Sequence, residues 1–275
     1  MANDLAITLS DGRRLAYLEI GDPAGRPIIS CHGGLSSRLD VAPAAATAST
    51  LGVRLISPDR PGIGLSDSRP GRTVLDWPAD VEQLADQLGL DAWAVMGWSA
   101  GGMYAQACAV CLPGRVTRLG LIASVIPRDW PGMIDQINRT DRIFMRLSHA
   151  GSPVERVAFS MLRTTARHRP EALVKRSGAP DELAREVGSA LVAGLVDTRG
   201  AVQEYRLLDE PWGFDPTSIT VPTHVWQGTA DDLVPASWGE RLAAAIPGAQ
   251  LTVIDGGSHF LWYDHWDEIL AALLA

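Results

Sequence analysis

Residues 92–112 constrain what this chain can fold into more than any other stretch. Ala92-Trp-Ala-Val-Met96 is a short apolar run of the buried-strand kind, and Gly97-Trp-Ser-Ala-Gly101 follows at once. Residues 100–112 are then Ala-rich and stop at Pro113-Gly114. A strand that enters a helix without a loop must turn within one or two residues. The serine at that turn is forced outward in a strained conformation, and the flanking glycines relieve the crowding. The helix start behind it offers unpaired backbone N–H groups and the positive end of a helix dipole. G-x-S-x-G alone is a weak signal, and its strand-to-helix setting gives it weight.

The same alternation extends to both sides. Residues 5–9 and 15–20 read as a hairpin about Ser10-Asp-Gly-Arg13, with a turn at Gly21-Asp-Pro-Ala-Gly25. Residues 27–31 and 53–57 are buried-strand candidates separated by an Ala-rich helix over 41–51. An amphipathic helix spans 76–88, with Pro78 in its first turn and Gly89 as its stop, and a strand covers 116–123. Later come a strand over 221–227, a helix over 236–246, a strand over 250–254 and a last helix from about 264. Strands alternating with helices predict an α/β fold whose mostly parallel sheet is flanked by helices on both faces. At 275 residues, with 46% hydrophobic and 20% charged, the chain can bury a full core.

Residues 127–210 break the rhythm. They have helical periodicity, few strand candidates, and breaks at Pro131-Gly132, Gly151-Ser-Pro153 and Gly178-Ala-Pro180. They hold 13 basic and 12 acidic residues, against 11 and 20 in the remainder. This predicts a helical insertion in the sheet-forming chain. Its arginines could steer an anionic substrate or simply form a solvated helical face. The net charge of -8 argues against a nucleic-acid partner, which normally needs a basic surface. No window reaches the roughly 20 apolar residues of a membrane span. The first residues lack the basic and apolar segments of a secretory signal, so a cytoplasmic location is expected. Cys31, Cys108 and Cys111 cannot all pair with one another, no second CxxC completes a metal site, and all three are expected as reduced, buried thiols.

A serine hydroxyl needs a base to act as a nucleophile. Of six histidines, His149 and His168 fall in the insertion, His224 lies within a strand, and His265 is expected exposed on the last helix. His259, in Ile254-Asp-Gly-Gly-Ser-His-Phe260, follows a strand in a Gly-rich loop near the sheet's strand ends, where sites of open α/β sheets form. The base in turn needs a carboxylate to fix its tautomer. Gln227-Gly-Thr-Ala-Asp-Asp-Leu-Val-Pro235 supplies Asp231, with Asp232 as the alternative. The order Ser99, Asp231, His259 is that of α/β-hydrolases and not of chymotrypsin or subtilisin.

With those residues in place, the chain resembles the α/β-hydrolase fold superfamily, in its capped epoxide-hydrolase/esterase-like branch with a serine nucleophile. The resemblance implies a core formed by residues 1–125 and 215–275 and a helical cap at 126–214. Cys31-His32-Gly33-Gly34 resembles the family's H-G-x motif, which implies an oxyanion hole from the N–H groups of Gly34 and Ala100 while His32 shapes the loop. Asp59-Arg-Pro-Gly-Ile-Gly-Leu-Ser66 resembles a structural turn of the family, and the family's spacing to Gly228 and Pro235 selects Asp231. Three positions depart from the pattern. Epoxide- and halide-processing relatives have aspartate where Ser99 stands, Leu35 replaces a common proline, and Ser258 replaces a common glycine. The implied activity is esterase-type cleavage of a small or medium acyl ester, lactone or thioester through an acyl-enzyme, with no metal or organic cofactor. A carbon–carbon hydrolase, a natural-product cyclase or thioesterase would use the same triad, and a non-catalytic binding protein can retain it. Trp98, and less so Trp262 and Tyr263, are candidates to line a substrate pocket, with core packing as the alternative for each.

Overall fold

The computed structural model describes residues 5–151, 153–175 and 181–275. The first four residues and the Gly178-Ala-Pro180 break therefore lie outside the described residues. Eight strands form one sheet: β1 (Leu5–Thr8), β2 (Arg14–Gly21), β3 (Arg26–Cys31), β4 (Val53–Pro58), β5 (Trp93–Trp98), β6 (Val116–Ile122), β7 (Thr223–Gly228) and β8 (Gln250–Ile254). Their order is β1-β2-β4-β3-β5-β6-β7-β8. The two pairs made by β2 are antiparallel and the remaining pairs are parallel, so the expected mostly parallel sheet is what forms.

Strand residues alternate between two apolar layers, as a period of two requires. Trp93 and Val95 of β5 enter one layer, while Ala94 and Met96 enter the other. The first layer is covered by α2 (Trp77–Gln87), α3 (Gly101–Cys111) and α10 (Ala236–Ala245), the second by α1 (Ala45–Thr50) and α11 (Trp266–Leu274). Burial on both faces explains why β5 reads as a continuous apolar run. The helix expected over 41–51 is divided. Arg38–Ala44 is a 3-10 helix containing Pro43, and α1 begins at Ala45. Proline has no N–H to give to an α-helical ladder, which explains the tighter first turns. The cysteine expectation also needs correction: Cys31 and Cys108 are buried, but Cys111, at the end of α3, is exposed.

Between β6 and β7 come α4 (Met133–Gln136), α5 (Arg139–Ser148), α6 (Pro153–His168), α7 (Pro170–Lys175), α8 (Asp181–Gly194) and α9 (Thr198–Asp209). Among the described residues of this segment there is no strand. Gly132 and Gly151, two of the expected breakpoints, have φ of 82° and 56°, which fits glycine. The parallel strands place the loops after β3, β5, β6, β7 and β8 along a single edge, and the site lies there.

Candidate active site

The strand-to-helix turn after β5 is strained. Ser99 has φ 55°, its N–H donates to Ile122 C=O at 2.9 Å, and its C=O accepts from Gly102 N–H at 3.0 Å. A side chain at Gly97 would approach Gly101 C=O to 2.4 Å, and one at Gly101 would approach Cys31 C=O to 2.0 Å. The motif glycines are thus required by backbone-to-backbone contact. Leu35, after β3, and Ala123, after β6, also have positive φ, at 59° and 45°. Among the described residues, these three positive-φ non-glycine positions sit at the same sheet edge, and local strain tends to concentrate at functional sites.

His259 faces Asp231. Its Nδ1–H donates to Asp231 Oδ2 at 2.9 Å, with His259 at 3% and Asp231 at 9% exposure. A carboxylate only accepts, so the proton resides on Nδ1 and leaves Nε2 with a free lone pair in the neutral ring. The other carboxylate oxygen accepts from Leu233 N–H at 2.9 Å and Val234 N–H at 2.8 Å. Asp232, the alternative, is exposed. Ser99 and His259 line one cavity of about 360 Å³. Gly34 and Ala100 line it too, and a side chain added at Gly34 would sit 3.4 Å from Ala100 Cβ. Neither N–H donates to a protein acceptor among the described residues.

Trp98 lines the cavity and also braces it: its indole Nε1–H donates to His259 C=O at 2.9 Å, and its ring lies 5.3 Å from the imidazole. A side chain at Gly33 would strike the Trp98 ring at 2.5 Å. Trp262 packs behind Trp98 at 5.3 Å, and neither Trp262 nor Tyr263 lines the cavity. The remaining histidines are elsewhere. His224 is half-buried and paired with Thr252 Oγ1 at 2.8 Å, His149 is exposed beside Asp209, and His168 is exposed. His265 is half-buried and precedes the last helix, so it is less exposed than expected.

His32 is fully buried. Its Nδ1–H donates to Gly33 C=O at 2.9 Å, and its Nε2 accepts from Arg60 N–H at 3.2 Å. Burial, followed by the Arg60 charge, holds its pKa well below the usual histidine value, so it is neutral and fully engaged. One group escaped the sequence reading altogether. Arg60, Arg72, Tyr104 and Glu204 form a buried polar cluster behind the His32–Gly34 loop, with Glu204 reaching it from α9 and also lining the cavity. Arg60 lay in a turn read only as structural, and Glu204 is 144 positions away.

The sequence profile of the alpha/beta hydrolase family matches residues 28–272. The chain belongs to the alpha/beta hydrolase family. Among relatives within it, the pimeloyl-acyl-carrier-protein methyl ester esterase of Stenotrophomonas maltophilia is 33% identical over 233 residues, covering 78% of this chain and 79% of that protein. The non-heme chloroperoxidase of Streptomyces lividans is 27% identical over 98% of both chains. In fold, this hydrolase is similar to the esterase EaEST from Exiguobacterium antarcticum, with a TM-score of 0.75 at 20% identity over 99% of this chain and 98% of that one. A hydrolase from Pseudomonas aeruginosa PA01 also has a TM-score of 0.75, at 23% identity over 99% and 98%. Among the described residues no helix is long and apolar enough to cross a membrane.

Proposed function

We infer that this alpha/beta hydrolase is a serine esterase that cleaves a small or medium acyl ester through an acyl-enzyme. The observation that carries this reading is the buried His259–Asp231 pair opening on the same cavity as the strained Ser99. Esterases among its relatives lend support. In the reaction, Ser99 Oγ attacks the ester carbonyl carbon while His259 Nε2 takes the hydroxyl proton. Asp231 holds the imidazole in the Nδ1–H tautomer and stabilises the imidazolium. The tetrahedral oxyanion accepts from the N–H groups of Gly34 and Ala100, each donor contributing about 3–4 kcal/mol in comparable sites. Collapse breaks the carbon–oxygen bond, and His259 gives its proton to the departing alkoxide. Water, deprotonated by His259, then attacks the acyl-enzyme, and the acid leaves with Ser99 restored. Residues 126–214 act as a cap over a core of 1–125 and 215–275, and the substrate reaches the site beneath it.

The cavity selects for uncharged substrates. Its wall is largely apolar, including Val125, Ile137, Phe144, Leu208 and Trp238, and besides His259 its described charged lining residues are Asp141 and Glu204, the latter neutralised by Arg60 and Arg72. A fluorophosphonate probe tests the assignment. Wild type should be labelled and should turn over short p-nitrophenyl esters, whereas Ser99→Ala and His259→Ala should not be labelled. Ser99→Ala should lower kcat by about 10⁴-fold or more with folding intact. Labelling that survives in Ser99→Ala would remove Ser99 as the nucleophile.

A further inference from the structure

The cluster behind the His32–Gly34 loop holds two guanidiniums and one carboxylate, all buried. Arg60 Nη2 donates to Glu204 Oε2 at 2.7 Å and its Nε donates to the same oxygen at 3.0 Å. Arg72 Nη2 donates to Glu204 Oε1, which also accepts from Tyr104 O–H at 2.9 Å. The Tyr104 oxygen in turn accepts from Arg72 Nη1 at 2.9 Å, and the Arg60 guanidinium lies 4.5 Å over the Tyr104 ring. Burial alone would raise the Glu204 carboxyl. The Arg60 and Arg72 charges overcome that and hold it well below the usual carboxylate range, so the group is ionised at any pH the enzyme works in.

Arg60 spends its remaining donors on the loop. Nη1 donates to His32 C=O, and Nη2 donates to Gly33 C=O at 3.0 Å. The Gly33 oxygen also accepts from His32 Nδ1–H at 2.9 Å. That carbonyl and the Gly34 N–H belong to one planar trans peptide unit, so fixing the oxygen on one side fixes the direction of the N–H on the other. The preceding peptide is fixed as well, since Gly33 N–H donates to Asp40 Oδ2 at 3.0 Å. The insertion supports the same loop from outside: Ser37 Oγ–H donates to Ala190 C=O at 2.9 Å, and a side chain on Gly194 would meet Ser36 C=O at 2.3 Å.

We propose that Glu204 is a positioning residue for the reaction: it holds the Arg60 fork on the Gly33 carbonyl and so aims the Gly34 N–H at the oxyanion. The proposal rests on the Ser99 esterase reading. Through it α9 is part of the machinery that binds the transition state, in addition to covering the pocket. Arg60 and Glu204 touch no reacting atom. Their effect should therefore appear in steps that develop negative charge on the carbonyl oxygen, and not in ground-state binding.

The test compares wild type with Glu204→Gln, Glu204→Asp and Arg60→Lys on p-nitrophenyl butyrate. Inhibition by an alkyl trifluoromethyl ketone, whose adduct with serine carries an oxyanion, is measured beside the matching alcohol, which carries none. Glu204→Gln and Arg60→Lys should lose about 10–100-fold in kcat with KM within about 3-fold. The ketone should weaken in step while the alcohol binds as before, and Glu204→Asp should recover part of the loss. Because an unpaired buried guanidinium can prevent folding, Tyr104→Phe provides a gentler probe. It leaves both ion pairs and should lower kcat about 3-fold with the same ketone-specific loss. Folded variants with kcat within about 2-fold of wild type overturn the proposal, as does equal weakening of ketone and alcohol. A wild type that neither reacts with fluorophosphonate nor binds the ketone more tightly than the alcohol would overturn the Ser99 reading itself, a separately visible failure.

Discussion

Asp40 shows how closely the residues around the site are coupled. Its carboxyl is buried, and burial pushes its pKa up to about 7 against the Gly33 N–H and the Arg60 charge, which pull it down. In the unfolded chain the group releases its proton near the usual aspartate value of about 3.9. Between those limits the folded protein holds more protons than the unfolded one, so stability drains away as pH rises through the window. Asp40→Asn keeps an oxygen to accept from Gly33 N–H and abolishes the ionisation. Its melting temperature relative to wild type should therefore climb by several degrees between pH 4 and pH 8. A difference that stays constant over that range would show that Asp40 does not titrate there. Neighbouring His32 works in the other direction: its depressed pKa costs stability as pH falls below about 6.5, so the Asp40 effect is read from the variant-minus-wild-type difference.

At the scale of elements, α9 is seated by a glycine. A side chain at Gly200 would approach Gly62 C=O to 2.0 Å, so the helix lies backbone against backbone on the loop after β4. Glu204 is one turn further along, on the same face, which brings its carboxylate to Arg60. Gly200→Ala should push the helix outward, destabilise the fold by about 1–3 kcal/mol and lower esterase activity more than the stability loss explains. Chemical denaturation beside steady-state kinetics measures both. Unchanged activity in the folded variant would mean that α9 has slack at this contact. The sequence offered no hint of this: a glycine within a helical pattern reads as a weak helix former until the opposing backbone is known. The division of the 41–51 helix, in contrast, was available in Pro43, although the surrounding alanines pointed to one continuous helix.

For the whole molecule, the distribution of charge decides what can enter. None of the insertion's described arginines lines the cavity. Arg206 pairs with Glu155 and Arg128 with Asp209, Arg146, Arg156 and Arg167 are exposed, and no arginine or lysine appears among the cavity's described lining residues. A carboxylate-bearing acyl group would be buried beside Asp141 in a largely apolar wall, with Arg60 and Arg72 behind it already engaged by Glu204. A neutral alkyl ester should therefore exceed the half-ester of a dicarboxylic acid of equal length by about 100-fold or more in kcat/KM. Comparable values for the pair would show that the charged end stays in water. The sequence by itself determined the mostly parallel sheet and the helical run between β6 and β7, and it offered Ser99, Asp231 and His259 as candidates, because each is written in local periodicity or in residues a few positions apart. Only the tertiary structure decided that Glu204 meets Arg60 and Arg72 beneath the Gly33–Gly34 peptide, and that none of the insertion's described cations lines the pocket. Those facts depend on which faces of distant segments come to oppose one another once the sheet is buried, and a linear pattern carries no record of a partner 144 residues away.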